Sequence, residues 1–446
     1  MKASFRVALL LVAGTVALAT PVALALDRWL AADGDEWAAT VRIGPVERRW
    51  QVARVMRVAT LPVVARALDG RSVSTPVGRW TVRRSRTGAT LAECAPCVIR
   101  HRALGGEPLR LSRLALELDV ARGDDYAGRF VIGREPALPV SWRVRLDRRG
   151  LVLDASAHEL PIAALLAAVE PQLPELGRAH VEGTFGFTLR YGGDPSTAFA
   201  ADAAARWIFE PRIDGLRVRG LGTEALATAA LPARCDPSDA PLRGWLPIAV
   251  LAAEDQRFAT HAGFEPVSLG AALMSNARAS GTTIRGGSTL TQQLAKLVYT
   301  GDDRDPVRKL RELLYAVEME ETLGKARILQ IYLAIAPWGP GVCGAERAAR
   351  LYFGKPAARV DPLEAAWLAG LLRNPGTALR ATVERCGIDA QRTAWVLDQM
   401  RPMALWRRNY WLARAHTLRP LPAARSRCPL RVADALPTGV KPITNK

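Results

Sequence analysis

The chain has 446 residues, 49% hydrophobic and 23% charged, which excludes wholesale disorder and leaves room for two separate cores and a further segment. Its formal net charge of +18 suits an anionic partner: nucleic acid, anionic lipid head groups or a pyrophosphate-bearing substrate.

In chain order, the first predicted element is a membrane anchor over residues 1–26. Val7–Leu26 is an uncharged run, and about 20 apolar residues suffice to cross a bilayer as a helix. Lys2 and Arg6 precede it, which orients the N-terminus to the cytoplasm and the rest of the chain outward. Ala23–Ala25 also resembles a signal-peptide cleavage site, but the run exceeds the usual ~7–15-residue signal core, so a retained anchor is expected. Either reading exports the chain, which disfavours nucleic acid as a partner and favours an anionic lipid.

A strand-rich domain is expected over residues 27–235. Arg79–Arg83, Leu114–Val120, Val140–Leu146 and Phe185–Tyr191 alternate apolar and polar residues, the period of a half-buried strand. Turns such as Asp147–Gly150 separate them, and a short helix is predicted near Ile162–Val169. Six cysteines, Cys94, Cys97, Cys235, Cys343, Cys386 and Cys428, permit disulfides in an oxidising compartment without fixing the pairing. For Cys94 and Cys97 a local disulfide or two unrelated thiols is expected, rather than half of a metal site.

Leu231–Leu246 is rich in Pro, Asp and Gly and reads as a linker. Beyond it the period becomes helical: Leu310, Leu313, Leu314 and Val317 fall on one face, as do Ile328, Ile331, Tyr332 and Ile335. A helical domain over residues 236–403 and a basic tail over 404–446 complete the expected organisation, an α+β two-domain chain.

Chemistry-bearing residues concentrate in the helical half. Glu254 and Asp255 form an acidic pair at a helix end, followed by Phe258 and His261. Next, Gly286 and Gly287 lead into a helix with Ser288 as its expected N-cap. Thr289, Gln293 and Lys296 would share one face of that helix, making an anion site of amides, a hydroxyl and an ammonium. The nucleotide P-loop spacing is missing. A third helix carries Arg308, Lys309 and Glu312 at one-face spacing. Seven lysines stand against fifty-four arginines, yet Lys296, Lys309, Lys325 and Lys355 cluster here, which marks positions needing a compact ammonium. Taken singly, each segment is equally a capped, solvated helix. Together, a carboxylate near a basic anion site is what sugar transfer from a phosphate leaving group requires.

Residues 247–400 resemble the family 51 glycosyltransferases, the peptidoglycan transglycosylases, and most of all the monofunctional biosynthetic type. The resemblance rests on Glu-Asp-x-x-Phe-x-x-His-x-Gly at Glu254–Gly263, Gly-Gly-Ser-Thr-Leu-Thr-Gln-Gln-x-x-Lys at Gly286–Lys296, and Arg-Lys-x-x-Glu at Arg308–Glu312. Arg327–Leu333 and Tyr352–Ala357 follow in the family's order. It implies a mainly α, lysozyme-like domain with Glu254 as catalytic base and Glu312 as second essential acid. Thr289, Gln293, Lys296, Arg308 and Lys309 would bind substrate, while Asp255, Phe258, His261 and Ser288 would orient or brace. The implied reaction joins a lipid-linked glycan to lipid II and releases undecaprenyl pyrophosphate. No cofactor or metal is required, although a divalent cation (Mg or Mn) on the pyrophosphate is compatible. The implied location is the inner membrane, single-pass, with the catalytic domain in the periplasm beside other cell-wall synthesis proteins.

Two departures stand against the family pattern. Ala334 and Pro337 replace its usual Asn and acidic residue, with Cys343 in an unusual Gly-Val-Cys-Gly, and the strand-rich region has no counterpart in the monofunctional type. Two rival readings stay open: a lytic glycosidase on the same kind of fold, and, motivated by Ala334 and Pro337, an envelope scaffold or lipid-handling protein with a degenerate transferase domain. No Ser-x-x-Lys or Lys-Thr-Gly transpeptidase motif occurs.

Overall fold

The computed structural model describes residues 25–34, 36, 38–43, 46–75, 78–84, 90–99, 108–169, 173–193, 207–235, 242–266, 287–301, 306–384, 388–415, 418 and 420. Two compact units divide between Leu216 and Arg217.

The first unit is a sheet protein. A hairpin of β1 (Ala38–Ile43) and β2 (Val46–Gln51) precedes two short helices, α1 (Val52–Ala59) and α2 (Pro62–Ala67). The main sheet takes β3 (Ser72–Thr75), β4 (Gly78–Arg84), β5 (Thr90–Cys94), β8 (Leu114–Arg122), β9 (Asp125–Ile132), β10 (Leu138–Leu146), β11 (Leu151–Pro161), β12 (His180–Gly193) and β13 (Trp207–Arg219) as neighbours in that order. A side hairpin of β6 (Cys97–Ile99) and β7 (Leu109–Leu111) fills the step between β5 and β8. Each neighbour is the next main-sheet strand in sequence, and the steps from β5 to β8 and from β11 to β12 are longer connections with elements of their own. The Asp147 carboxylate accepts from the Arg149 and Gly150 amides, both at 2.7 Å, closing the β10–β11 turn.

Strand β10 shows why these residues make half-buried strands. Leu138, Val140, Trp142 and Leu146 point inward, while Ser141, Arg143 and Arg145 face water. Trp142 packs with Tyr126, Leu146, Ala155 and the α1 residue Ala53. The four sequence-predicted strands all lie within observed ones, and the short helix is α3 (Ile162–Ala167). Cys94 and Cys97 are joined as a disulfide.

The second unit is mainly helical: α4 (Trp245–Glu254), α5 (Leu290–Ala295), α6 (Pro306–Thr322), α7 (Gly324–Ile335), α8 (Ala345–Phe353), α9 (Pro362–Leu371), α10 (Pro375–Glu384), α11 (Ala390–Gln399) and α12 (Leu405–Leu412). Helix α9 is the centre of the core, with nine of its ten residues buried. Its N-terminus is closed by a capping box between Asp361 and Glu364, and the Lys355 ammonium bonds both oxygens of Glu364 at 2.7 and 2.9 Å.

Residues just ahead of the helices dock onto them. The buried Glu318 carboxylate accepts from the Leu221 and Thr223 amides at 2.7 and 3.1 Å. Arg327 donates to the carbonyls of Leu226 and Ala229. Cys235 is bonded to Cys343, in the small hairpin of β14 (Pro337–Gly339) and β15 (Val342–Cys343). Gly344 has φ +84°, and a Cβ there would lie 2.2 Å from the Cys235 carbonyl oxygen, so only glycine fits this approach. Pro337 pairs with Cys343, so this departure sits beside the covalent link.

Three expectations change. The transmembrane helix expected at residues 1–26 is corrected: no helix among the described residues is long and apolar enough to cross a membrane. The described part of that stretch is the start of a helical turn at 25–30, which spans about 9 Å against the ~30 Å of a bilayer core. The rest of Val7–Leu26 lies outside the described residues. The expected tail begins with an ordered helix, α12, while residues 421–446 lie outside the described residues, as do Cys386 and Cys428. Finally, Thr289 rather than Ser288 caps α5.

Candidate active site

Helix α4 ends at Glu254, with Asp255 as its C-cap, so the two carboxylates leave the helix in different directions. The Glu254 side chain is 11% exposed. Its Oε2 accepts from the Gln293 amide at 3.1 Å, and Oε1 lies 3.5 Å from the Arg392 guanidinium. Burial raises its carboxyl above the ordinary range, and the Gln293 hydrogen bond and the Arg392 charge only partly offset this. The negative end of the α4 dipole acts in the same direction as burial.

The Gln293 amide is itself fixed. Its oxygen accepts from the buried Tyr332 hydroxyl at 2.8 Å, which leaves the NH2 to face Glu254. Burial pushes the Tyr332 hydroxyl well above its ordinary range, so it stays a donor.

Asp255 and His261 build the floor. His261 Nδ1 accepts from the Gly263 amide at 3.0 Å, so Nε2 carries the proton and donates to Asp255 Oδ2 at 2.8 Å. The same Asp255 oxygen accepts from the Leu290 amide at 2.8 Å, tying the motif loop to the start of α5. Lys325 bonds the His261 carbonyl and Glu320 at 2.7 and 2.8 Å, and its ammonium lies 4.6 Å over the Phe258 ring. Gly263 has φ +89°, and a Cβ there would meet the Ala316 carbonyl at 2.8 Å. Asp255, Phe258 and His261 are thus packed and hydrogen-bonded within the protein.

Helix α5 carries the second motif. Thr289 and Gln292 form a reciprocal capping box, and the Thr289 hydroxyl donates to the Gly263 carbonyl at 2.6 Å. The hydroxyl expected to meet substrate is thus buried and engaged within the protein. The α-helical part is six residues, after which Lys296–Thr300 winds as a π-helix. Lys296, half-buried, begins that turn one residue triplet beyond Gln293. The α-helical winding that the expected common face of Thr289, Gln293 and Lys296 requires thus runs as far as Lys296, whose backbone is still α-helical at φ -59° and ψ -47°.

Arg308, Lys309 and Glu312 come together as the spacing implied. Glu312 is fully buried and accepts from Arg308 and Lys309, each at 2.6 Å. Lys309 also donates to Ser288 at 2.8 Å. Glu312 thus anchors two cations, while the half-exposed Lys309 keeps part of its ammonium toward solvent. Among the described residues no group of three or more His, Cys, Asp or Glu side chains could hold a metal ion.

Sequence reasoning missed Arg392 and Arg373. Both act on Glu254 electrostatically, and both line a cavity of about 290 Å³ with Trp367, Asn374, Thr377 and Asp389. Arginine is so common in this chain that nothing in the sequence marks these two. Tyr332 could have been found, as an apolar-face tyrosine whose hydroxyl needs a buried partner.

Comparison with known proteins bears on this cluster. A transglycosylase family model matches residues 240–401. Biosynthetic peptidoglycan transglycosylases match the same region: that of Salmonella arizonae is 44% identical over 160 residues, 36% of this chain and 64% of the relative. That of Aeromonas hydrophila is 46% identical over 155 residues, 35% of this chain and 64% of the relative. That of Salmonella paratyphi B is 43% identical over 167 residues, 37% of this chain and 67% of the relative. The chain spans a little under two thirds of the first two relatives. With the motif residues assembled around Glu254 and an identity of this level, the chain belongs to the family of the biosynthetic peptidoglycan transglycosylases.

Proposed function

We propose that the protein polymerises peptidoglycan glycan strands, transferring a lipid-linked glycan onto lipid II with release of undecaprenyl pyrophosphate. The acceptor 4-hydroxyl loses its proton to Glu254 as its oxygen attacks the donor anomeric carbon from the face opposite the leaving group. The bond from that carbon to the pyrophosphate oxygen breaks with its electron pair, so the configuration inverts. Cations at Arg308, Lys309 and Lys296 meet the pyrophosphate charge.

The observation that carries this reading is the Glu254 carboxylate: buried, raised above the ordinary carboxylate range, and held by one fixed amide and one guanidinium. Such a group is poised nearer neutral pH than an exposed glutamate, which suits a general base. The Cys235–Cys343 disulfide supports work in an oxidising compartment, the periplasm. Incubating purified protein with labelled lipid II tests the proposal. Long glycan products from the wild type and none from Glu254→Gln are expected. Release of short sugars from finished strands, or no reaction at all, overturns it.

A further inference from the structure

Helix α12 has the sequence LWRRNYWL and buries none of its residues. Trp406 and Tyr410 stand one turn apart on its outer face, 73% and 47% exposed, with Leu405 65% exposed beside them. Two aromatic side chains and a leucine held in water on one short helix form an apolar patch that a covering partner would relieve.

The cations around the patch sort by direction. Arg408 turns inward and pairs with Asp398 at 3.2 Å, its side chain 17% exposed. Arg407 instead lies over the Trp245 ring at 5.4 Å, and Arg414 over the Tyr410 ring at 3.7 Å. Both Arg407 and Arg414 are exposed. From Arg401 to Ala433 the chain holds eight arginines and no Asp or Glu. The patch is therefore an aromatic centre with a cationic rim, the composition that settles at a lipid–water boundary, where rings lie at head-group depth and guanidinia meet phosphate.

We propose that α12 docks on an anionic lipid bilayer, Trp406 and Tyr410 entering the head-group layer while Arg407 and Arg414 contact lipid phosphates. The position fits the proposed function, on which it rests only for the presence of a bilayer. Arg407 covers the first residue of α4, and Glu254 is the last, about 14 Å further along that helix. The base would then work within reach of a pyrophosphate carried at the membrane surface.

The test uses the full chain with a photoreactive benzophenone side chain replacing Trp406, mixed with vesicles of phosphatidylglycerol and phosphatidylethanolamine or of phosphatidylcholine alone. A matched protein carries the group in place of Val63, an apolar residue 70% exposed in the first unit. Adducts are identified by mass spectrometry after illumination. Lipid adducts at position 406, well above those at 63 and dependent on phosphatidylglycerol, support the proposal. Arg407→Ser and Arg414→Ser should each lower the yield about fivefold without changing Tm. Equal yields at the two positions, indifference to the head group, or crosslinks to the chain's own peptides or to another protein overturn it. Polymerisation of lipid II in detergent by the same samples separates failure of this surface from failure of the enzymatic reading.

Discussion

Tyr332 orients Glu254 without touching it. Its hydroxyl holds the oxygen of the Gln293 amide at 2.8 Å, and that amide's nitrogen faces the carboxylate at 3.1 Å. Removing the hydroxyl frees the amide to turn over and place its oxygen against Glu254, acceptor against acceptor. Tyr332→Phe should lower kcat about five- to tenfold, the worth of roughly one hydrogen bond, with little change in KM. Steady-state polymerisation kinetics check this, and an unchanged kcat would show that the amide needs no tether.

The pH profile should report the same contacts. A base must be ionised, so activity falls as the pH drops through the Glu254 value, which lies above the ordinary carboxylate range because of burial. Gln293 and Arg392 both pull that value down. Gln293→Leu and Arg392→Met should therefore move the acidic limb of kcat to higher pH. A limb that stays in place in both variants assigns it to another group.

Stability should run opposite to activity at this residue. The folded state raises the Glu254 value, so the associated stability is complete below the ordinary carboxylate range and is lost as pH rises through the folded value. Glu254→Gln cannot ionise and escapes this loss. Its Tm should exceed that of the wild type at neutral pH, and the gap should close on acidification. A neutral-pH Tm below the wild type would mean that the Arg392 contact outweighs burial.

Glu312 is expected to be structural and functional at once. Glu312→Ala leaves Arg308 and Lys309 without their common partner and should cost about 3–5 kcal/mol. Glu312→Gln keeps the shape and should fold, yet transfer slowly because the two cations are no longer gathered. Denaturant titration beside lipid II turnover distinguishes the two effects; rapid turnover by the Gln variant would leave only the structural one.

The Cys235–Cys343 bond joins positions 108 residues apart. By the chain-entropy account a loop near this length stabilises by about 4–5 kcal/mol. Cys235→Ser should lower the midpoint of urea unfolding accordingly while the cluster at Glu254 keeps its contacts. An unchanged midpoint would show that the Glu318 and Arg327 contacts alone secure that segment.

Much of the site was legible because its residues lie in contiguous motifs whose spacing is read by a single helix. Arg308, Lys309 and Glu312 needed only i+3 and i+4 geometry to meet. The strands were legible for a related reason: β10 advertises its buried face by strict alternation. What the sequence hid are relationships across long separations. Arg392 reaches Glu254 from 138 residues away, and nothing local distinguishes it. Thr289 was misjudged because Ser288 and Thr289 are equally good caps; the choice is made by the Gly263 carbonyl, a tertiary partner. The π-helical turn after Ala295 likewise has no local signature.

The sulfur bridge also changes how force would travel through the molecule. Tension arriving from the first unit reaches Cys235 and can cross directly to Cys343, continuing into α8 and the helices beyond. Residues 236–342 are the stretch that the bridge closes, and Glu254, Gln293, Glu312 and Tyr332 all belong to it, but Leu221, Thr223, Leu226 and Ala229 also grip this stretch through Glu318 and Arg327. A pull along the chain would be shared between those hydrogen bonds and the covalent shortcut, and once the hydrogen bonds yield the bridge carries the load past the base and its amide.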